Sequence, residues 1–138
     1  MAITMQNNLR GASNYDADYV LADTQSVSAD AAGNIAAGYI DLADYAGSQW
    51  VGHLRFTAAD YTTGDEAYEI QIQPSAATNF STYNTEKTVS VPITATVATG
   101  TYFNIGAFSP TRRYLRVYFN VGGTSPSMTV DKVWISPV

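Results

Sequence analysis

Apolar and polar residues alternate with a period of two along much of the chain. The clearest run covers residues 88–97, and its apolar members are Val89, Val91, Ile93, Ala95 and Val97. The same alternation recurs over residues 68–73, 114–121 and 50–57. Strict alternation is typical of β-strands that bury one face. Pro92 cannot donate to a ladder, so we expect an edge strand or a bend at that point.

Shorter apolar stretches predict further strands over residues 20–27, 39–42, 101–107 and 128–135. Clusters of Gly, Asn, Asp, Ser and Pro separate these segments, as turns do. Short strands joined by such turns indicate a sandwich or a jelly roll. No segment carries a helical stripe, although one helical turn would fit residues 74–80. The fold class we predict is all-β: an antiparallel β-sandwich of the jelly-roll type, with little or no helix.

The length of 138 residues fits one domain. We expect residues 19–138 to form the single sandwich domain. Residues 1–18 are polar and aperiodic, and they lack the strand pattern of the rest. One interpretation is an extended N-terminal arm that becomes ordered against a neighbouring subunit. The alternative is a frayed terminus.

Charge excludes several classes of partner. Charged residues are only 14% of the chain, the net charge is −5, and the pI is near 4.5. A nucleic-acid binder depends on clustered Lys and Arg, and an anionic membrane attracts them too, so we expect neither partner. The low charge fits a surface covered by an assembly, or one made polar by uncharged side chains. There is no cysteine, no visible signal peptide and no apolar run of membrane-spanning length, which fits synthesis in the cytoplasm.

Catalytic chemistry is not indicated, and we expect neither an enzyme nor a cofactor. His53 is the only histidine, and without cysteine every Cys–His pair is excluded. We interpret His53 as an ordinary strand residue on the face opposite Leu54 and Phe56. A glycosidase pair would draw on Asp65, Glu66 and Glu69. A calcium site would use Asp16, Asp18, Asp65 or Glu66 with backbone carbonyls. Neighbouring loop carboxylates are usually only solvated, so no metal ligands are predicted.

The most informative feature of the composition is its content of aromatic residues, which are 10 Tyr, 5 Phe and 2 Trp. Tyr and Arg are enriched at binding hot spots. The predicted strand over residues 114–121 places three such side chains on one face just after two arginines. The candidate protein interface is therefore Arg112, Arg113, Tyr114, Arg116 and Tyr118. The alternative is a cross-strand Tyr–Arg ladder within the protein's own sheet. For Trp50 and Trp134 we prefer core positions to sugar-stacking ones.

Several segments resemble a known family. They are residues 39–42, residues 67–73 with Ser75 and residues 79–81, residues 105–108, and residues 113–121 with the Gly122-Gly123 hairpin and its return strand. In these segments, in length and in layout, the chain resembles the small jelly-roll cement, or decoration, proteins of tailed-bacteriophage capsids, of the Bordetella-phage type. The resemblance covers about half of the chain, and its patterns are of strand and turn. The first residues of the chain match only loosely.

The resemblance implies a structural virion protein on the outer capsid surface. Such a protein has no catalysis or cofactor, and it staples neighbouring copies of the phage major capsid protein. It also implies a homo-oligomer, and we expect a dimer in preference to a trimer. The alternative from another class is a carbohydrate-binding or receptor-binding β-sandwich module, such as a tail-fibre piece. An exposed Trp or Tyr platform in a groove favours that alternative, whereas flat Tyr-rich patches favour cement.

Overall fold

Nine β-strands make up most of the described chain. The structure, a computed structural model, describes residues 19–138, so the predicted arm over residues 1–18 lies outside it. A short 3-10 turn, Ala43–Tyr45, lies between β3 and β4. The strands are β1 (Val20–Val27), β2 (Ala31–Ala32), β3 (Ile40–Asp41), β4 (Trp50–Ala59), β5 (Ala67–Ser75), β6 (Lys87–Ser90), β7 (Thr101–Phe108), β8 (Tyr114–Gly122) and β9 (Met128–Pro137).

The strands form two antiparallel sheets. Sheet 1 has the order β1-β9-β4-β7, and sheet 2 has the order β2-β8-β5-β6, with β3 also paired to β8. The short strands β2 and β3 both pair with β8 and can be counted as one strand. Each successive strand along the chain then lies in the other sheet, except that β5 and β6 are neighbours in sheet 2. This winding is the jelly-roll arrangement. The predicted fold class, an antiparallel β-sandwich with little helix, is confirmed.

One apolar core lies between the sheets. In β4 up to Phe56, in β5 and in β8 it takes alternate residues, which confirms the alternation seen in the sequence. In β9 the alternation shifts by one residue between Val130 and Val133, where the pairing with β4 is irregular. Sheet 1 contributes Trp50, Leu54 and Phe56 of β4 with Val130, Val133 and Ile135 of β9, and sheet 2 contributes Tyr68, Ile70 and Ile72 of β5 with Leu115, Val117 and Phe119 of β8. Each of these side chains is at most 3% exposed. Trp134 is also buried, but it lies between Val133 and Ile135 and therefore points to the outer side of sheet 1.

The strand predicted over residues 88–97 is wrong in its second half. β6 ends at Ser90, the N–H of Val91 still donates to the Tyr68 carbonyl at 2.9 Å, and the chain then leaves sheet 2 at Pro92. Val97 instead forms an isolated bridge with Ala59 in sheet 1. Val91 nevertheless lies in the core, and Val89 and Val97 pack against it. The alternation therefore indicated burial of these side chains but not one continuous strand. The expected edge position is correct, since β6 pairs only with β5.

No helical turn forms over residues 74–80. β5 continues through Pro74 and Ser75, which pair with Leu115 and Tyr114 of β8. The buried Ser75 hydroxyl then accepts a hydrogen bond from the Ala77 N–H at 3.0 Å, which closes a turn. The pairing of β5 with β8 therefore overrides any local preference of residues 74–80 for a helical turn.

Gly33 lies at a close passage between the two sheets. Its N–H donates to the Val117 carbonyl of sheet 2 at 2.9 Å. A Cβ at this position would come within 2.0 Å of the Leu21 carbonyl oxygen in sheet 1 and 2.8 Å of Val117 Cγ1. Only glycine fits between these backbones. The next residue, Asn34, accepts from the Asp23 N–H at 2.9 Å and donates to the Asp23 carbonyl at 2.8 Å, as a neighbouring strand would.

Replacing Gly33 by alanine should therefore destabilise the fold. The added methyl group meets backbone atoms, which cannot move aside without separating β1 from β8, so we expect a loss of about 2–3 kcal/mol or more. Urea denaturation measures it. Gly100→Ala is the matched control, because a Cβ there meets nothing within 4 Å. Equal stability of the two variants would contradict the close passage.

Candidate interaction surface on sheet 2

The outer face of β8 carries three of the predicted interface residues. Tyr114, Arg116 and Tyr118 alternate with core residues of the same strand, and all three are half-buried. Rings from three other positions join them on this side of sheet 2. We call this set the aromatic face: Tyr39, Phe80, Tyr83, Tyr114, Arg116 and Tyr118.

The guanidinium of Arg116 lies at the centre of the aromatic face. Its Cζ is 4.6 Å from the ring centroid of Phe80, 5.0 Å from that of Tyr83 and 5.3 Å from that of Tyr118. A cation over aromatic rings at these distances is attracted by their quadrupoles. Its Nε donates to Gln73 Oε1 at 2.8 Å. These contacts fix the side chain in one orientation.

A chain of amide hydrogen bonds continues from Arg116 along β5. Gln73 Nε2 donates to Gln71 Oε1 at 2.8 Å, and Gln71 Nε2 donates to Glu69 Oε1 at 2.9 Å. Asn120 Nδ2 reaches the same Glu69 oxygen at 3.2 Å. The chain begins at a cation and ends at a carboxylate, so every amide dipole points the same way and strengthens the next bond.

Phe80 and Tyr83 come from the loop between β5 and β6. Two backbone hydrogen bonds fold the end of this loop back on β5, from Asn84 N–H to the Pro74 carbonyl and from Glu86 N–H to the Ile72 carbonyl, both 2.9 Å. Phe80 is 7% exposed and Tyr83 is 48% exposed. Sequence reasoning did not assign either residue to the site, because the loop has no periodicity that shows where its side chains point. The only signal was Phe80 among the segments of the family resemblance.

The structure separates the three predicted arginines. Arg113 forms a two-point ion pair with Asp41, with Nε to Oδ1 at 2.7 Å and Nη2 to Oδ2 at 2.8 Å. This pairing raises the pKa of Arg113 and lowers the pKa of Asp41. Arg112 is exposed in the loop before β8. Arg113 Cζ also lies 5.3 Å from the ring centroid of Tyr114. Arg116 alone of the three arginines contacts several rings, which lie on the loop between β5 and β6 and on β8 itself. Its cross-strand partner is Gln73 and not a tyrosine.

The outer face of sheet 1 holds a different cluster, around His53. The side chain lies opposite the core residues of β4 as expected, but it is only 2% exposed. Its Nδ1 is 2.6 Å from the Tyr102 hydroxyl and its Nε2 is 2.7 Å from the Ser136 hydroxyl. The ring stacks on Trp134 at 5.1 Å. Because a hydroxyl can donate or accept, either neutral tautomer is satisfied. Burial lowers the pKa of His53 to about 4.

The candidate catalytic or calcium-binding carboxylates within residues 19–138 have structural partners. Asp65 accepts from the N–H and the hydroxyl of Thr124 at 3.0 and 2.8 Å. Glu66 accepts from the N–H groups of Thr63 and Gly64 at 3.2 and 2.9 Å. Asp16 and Asp18 lie outside the described residues. Within residues 19–138 no three His, Cys, Asp or Glu side chains come together as a metal site.

One open groove lies beside the end of β6. It has a volume of about 370 Å³, and its lining includes Tyr61, Glu69, Pro92 and Asn120. No helix in the described part of the chain is long and apolar enough to cross a membrane. Comparison with models of known protein families gives no match, and comparison with curated proteins also gives none.

The stability of the fold should fall when the pH is lowered from 7 to 5. His53 has a pKa of about 4 when folded and 6.5 when unfolded. Below pH 6.5 the unfolded chain therefore binds the extra proton, and stability is lost progressively until the folded pKa is reached. We expect a loss of roughly 1–2 kcal/mol between pH 7 and 5. Urea denaturation at the two pH values measures it.

His53→Gln is the test of the cause. This variant loses the titratable ring, so its stability should change much less over the same pH interval, even if its stability at pH 7 is lower. The carboxyl groups with resolved shifts (Asp23, Asp41, Asp60 and Asp65) have pKa values lowered below 3.8 and titrate outside this interval. The same pH dependence in wild type and His53→Gln would show that another group is responsible.

Proposed function

We propose that this protein is a capsid cement, or decoration, protein that binds the outside of an assembled phage capsid and staples neighbouring major capsid proteins. The observation that carries the proposal is the aromatic face, in which ordered rings surround one arginine. Interface cores are enriched in Tyr, Phe and Arg and depleted in other charges. The low charge content and the family resemblance support the same function.

Arg116 is suited to be the anchor of this contact. Among the described residues, Gln73 alone accepts a hydrogen bond from it, and that bond uses Nε. Its two Nη groups remain for a carboxylate of the partner, which a guanidinium binds with two parallel hydrogen bonds. The rings hold the guanidinium in place before binding, so little side-chain entropy is lost when the partner docks.

The proposed assembly is a homo-oligomer, a dimer in preference to a trimer, on the outer surface of the virion. Its subunits are made in the host cytoplasm and bind neither nucleic acid nor membrane. A dimer that carries one aromatic face on each subunit contacts two places on the shell. Linked contacts convert a modest single-site affinity into strong avidity.

The second candidate function is a carbohydrate-binding or receptor-binding module. The groove bordered by Tyr61, Glu69 and Asn120 favours it, because an aromatic ring beside amide and carboxylate groups suits a sugar. Both tryptophans, in contrast, are at most 3% exposed, so neither forms a sugar platform. Saturable binding to a glycan array without binding to capsids would favour this candidate and contradict the cement function.

The protein should bind an assembled capsid lattice far more strongly than it binds free capsid subunits. Sedimentation of capsids with labelled protein, against pull-down by free subunits, measures the difference. Because a ligand of the intact shell stabilises it by mass action, decorated capsids should also resist heat better than bare ones. Equal binding to shells and subunits, or no gain in heat resistance, would contradict stapling.

Replacing Arg116 by Glu should weaken capsid binding by about 2–4 kcal/mol, because it removes the anchor and places a like charge against a carboxylate. The matched control is Arg55→Glu, which makes the same charge change on the outer face of sheet 1, where Arg55 pairs with Asp131 at 2.7 Å. The control should bind as wild type does. If Arg116→Glu lowers only the melting temperature, the aromatic face is an intramolecular ladder and not a binding site.

A further inference from the structure

The free edge of sheet 1 is formed by β7, an eight-residue strand without a charged residue. Among the described strands, β7 pairs only with β4. Within residues 19–138, no backbone hydrogen bond other than those to β4 involves this strand. Every second N–H and C=O of β7 therefore points away from the sheet. Such an edge can pair with another strand.

The other sheet edges are protected. In sheet 2, β2 and β3 have two residues each, and β6 has four residues and is followed by Pro92. In sheet 1, the Asn34 amide pairs with the Asp23 backbone on β1. Short strands, prolines and covering side chains are the usual means of preventing edge-to-edge pairing. The contrast marks β7 as the long edge that residues 19–138 leave available.

Lys87 limits the available part of β7. A Cβ on Gly106 would lie 3.1 Å from the Lys87 ammonium nitrogen, so this side chain lies against the second half of the strand at Gly106. We call the first half, from Thr101 to Asn104, the open half of the strand: Tyr102 is 41% exposed, Asn104 is exposed, and Thr101 and Phe103 are half-buried.

We propose that the open half of β7 pairs with β7 of a second copy of this chain, antiparallel across a two-fold axis. A two-fold contact brings each residue against residues of the same strand, and like charges there would repel. The strand has none. Its open half can therefore face its own copy, and the two four-stranded sheets join into one. The exposed Tyr102 ring of each copy adds apolar area beside the paired strands.

This inference rests on the homo-oligomeric part of the proposed function and not on capsid binding. The first experiment is analytical ultracentrifugation of wild type, Asn104→Lys and Thr129→Lys at tens of micromolar, a range of modest affinity. Asn104 is exposed on β7, whereas Thr129 lies in β9, two strands away from the edge. We expect a wild-type dimer, dimerisation weakened about tenfold or more by Asn104→Lys, and no change with Thr129→Lys.

The outcomes separate the two proposals. A monomeric wild type overturns both the homo-oligomer and the β7 interface. A dimer that Asn104→Lys leaves intact, or that both variants dissociate, overturns the β7 interface alone. Capsid binding is measured independently of either result.

A crosslinking experiment covers the case in which Asn104→Lys fails to fold. The chain has no cysteine, so Asn104→Cys and Thr129→Cys each carry a single reactive site. A short bis-maleimide should join two copies of Asn104→Cys, since strands in a joined sheet lie about 4.8 Å apart. It should not join two copies of Thr129→Cys, which β4 and β7 of both copies separate. Equal crosslinking of the two variants would overturn the proposal.

Discussion

The shared core between the two sheets is the constraint on which the rest of this structure depends. Burial of apolar side chains offsets the entropy lost on ordering the chain, and a sandwich can bury them only between its sheets. Each long strand must therefore turn alternate residues inward. In β8, Leu115 and Val117 occupy the core, and this alone directs Arg116 outward between them. A slip of one residue in the register would bury the arginine. The core thus determines the aromatic face.

Much of the fold follows from this constraint and could be predicted from the alternation. The strands around Leu54, Ile70 and Val117 were found in this way because their burial is periodic. The alternation over residues 88–97 predicted too long a strand. Its apolar residues continue to contact the core after the chain has left sheet 2 at Pro92. The alternation of apolar and polar residues shows which side chains are buried, whereas the pairing of a strand depends on residues that are distant in the sequence.

The candidate site could be predicted only where it lies on a strand. Tyr114, Arg116 and Tyr118 were found because β8 alternates. Tyr83 and Phe80 lie on a loop whose path is fixed by hydrogen bonds to β5, which no local pattern records. Arg113 forms its ion pair with Asp41, which is far away in the sequence. The sequence therefore could not show which of the three arginines is already paired within the protein.

The outer faces of the two sheets differ in chemistry. Sheet 1 neutralises its cations, with Arg55 on Asp131 and Lys132 on Asp23. Sheet 2 holds Arg116 among aromatic rings, with no carboxylate paired to it among the described residues. The two proposed contacts lie on different elements, a face of sheet 2 for the shell and an edge of sheet 1 for a second copy. A protein that bridges a lattice needs two such separate attachments.

Cryo-electron microscopy of purified virions shows whether the protein lies on the capsid and which of its sheets faces the shell. We expect density for β-sandwiches on the outside of the shell, with sheet 2 and the Arg116 side chain turned toward the major capsid protein. Virions that lack the protein by mass spectrometry, or sandwiches whose sheet 1 faces the shell, would contradict this expectation.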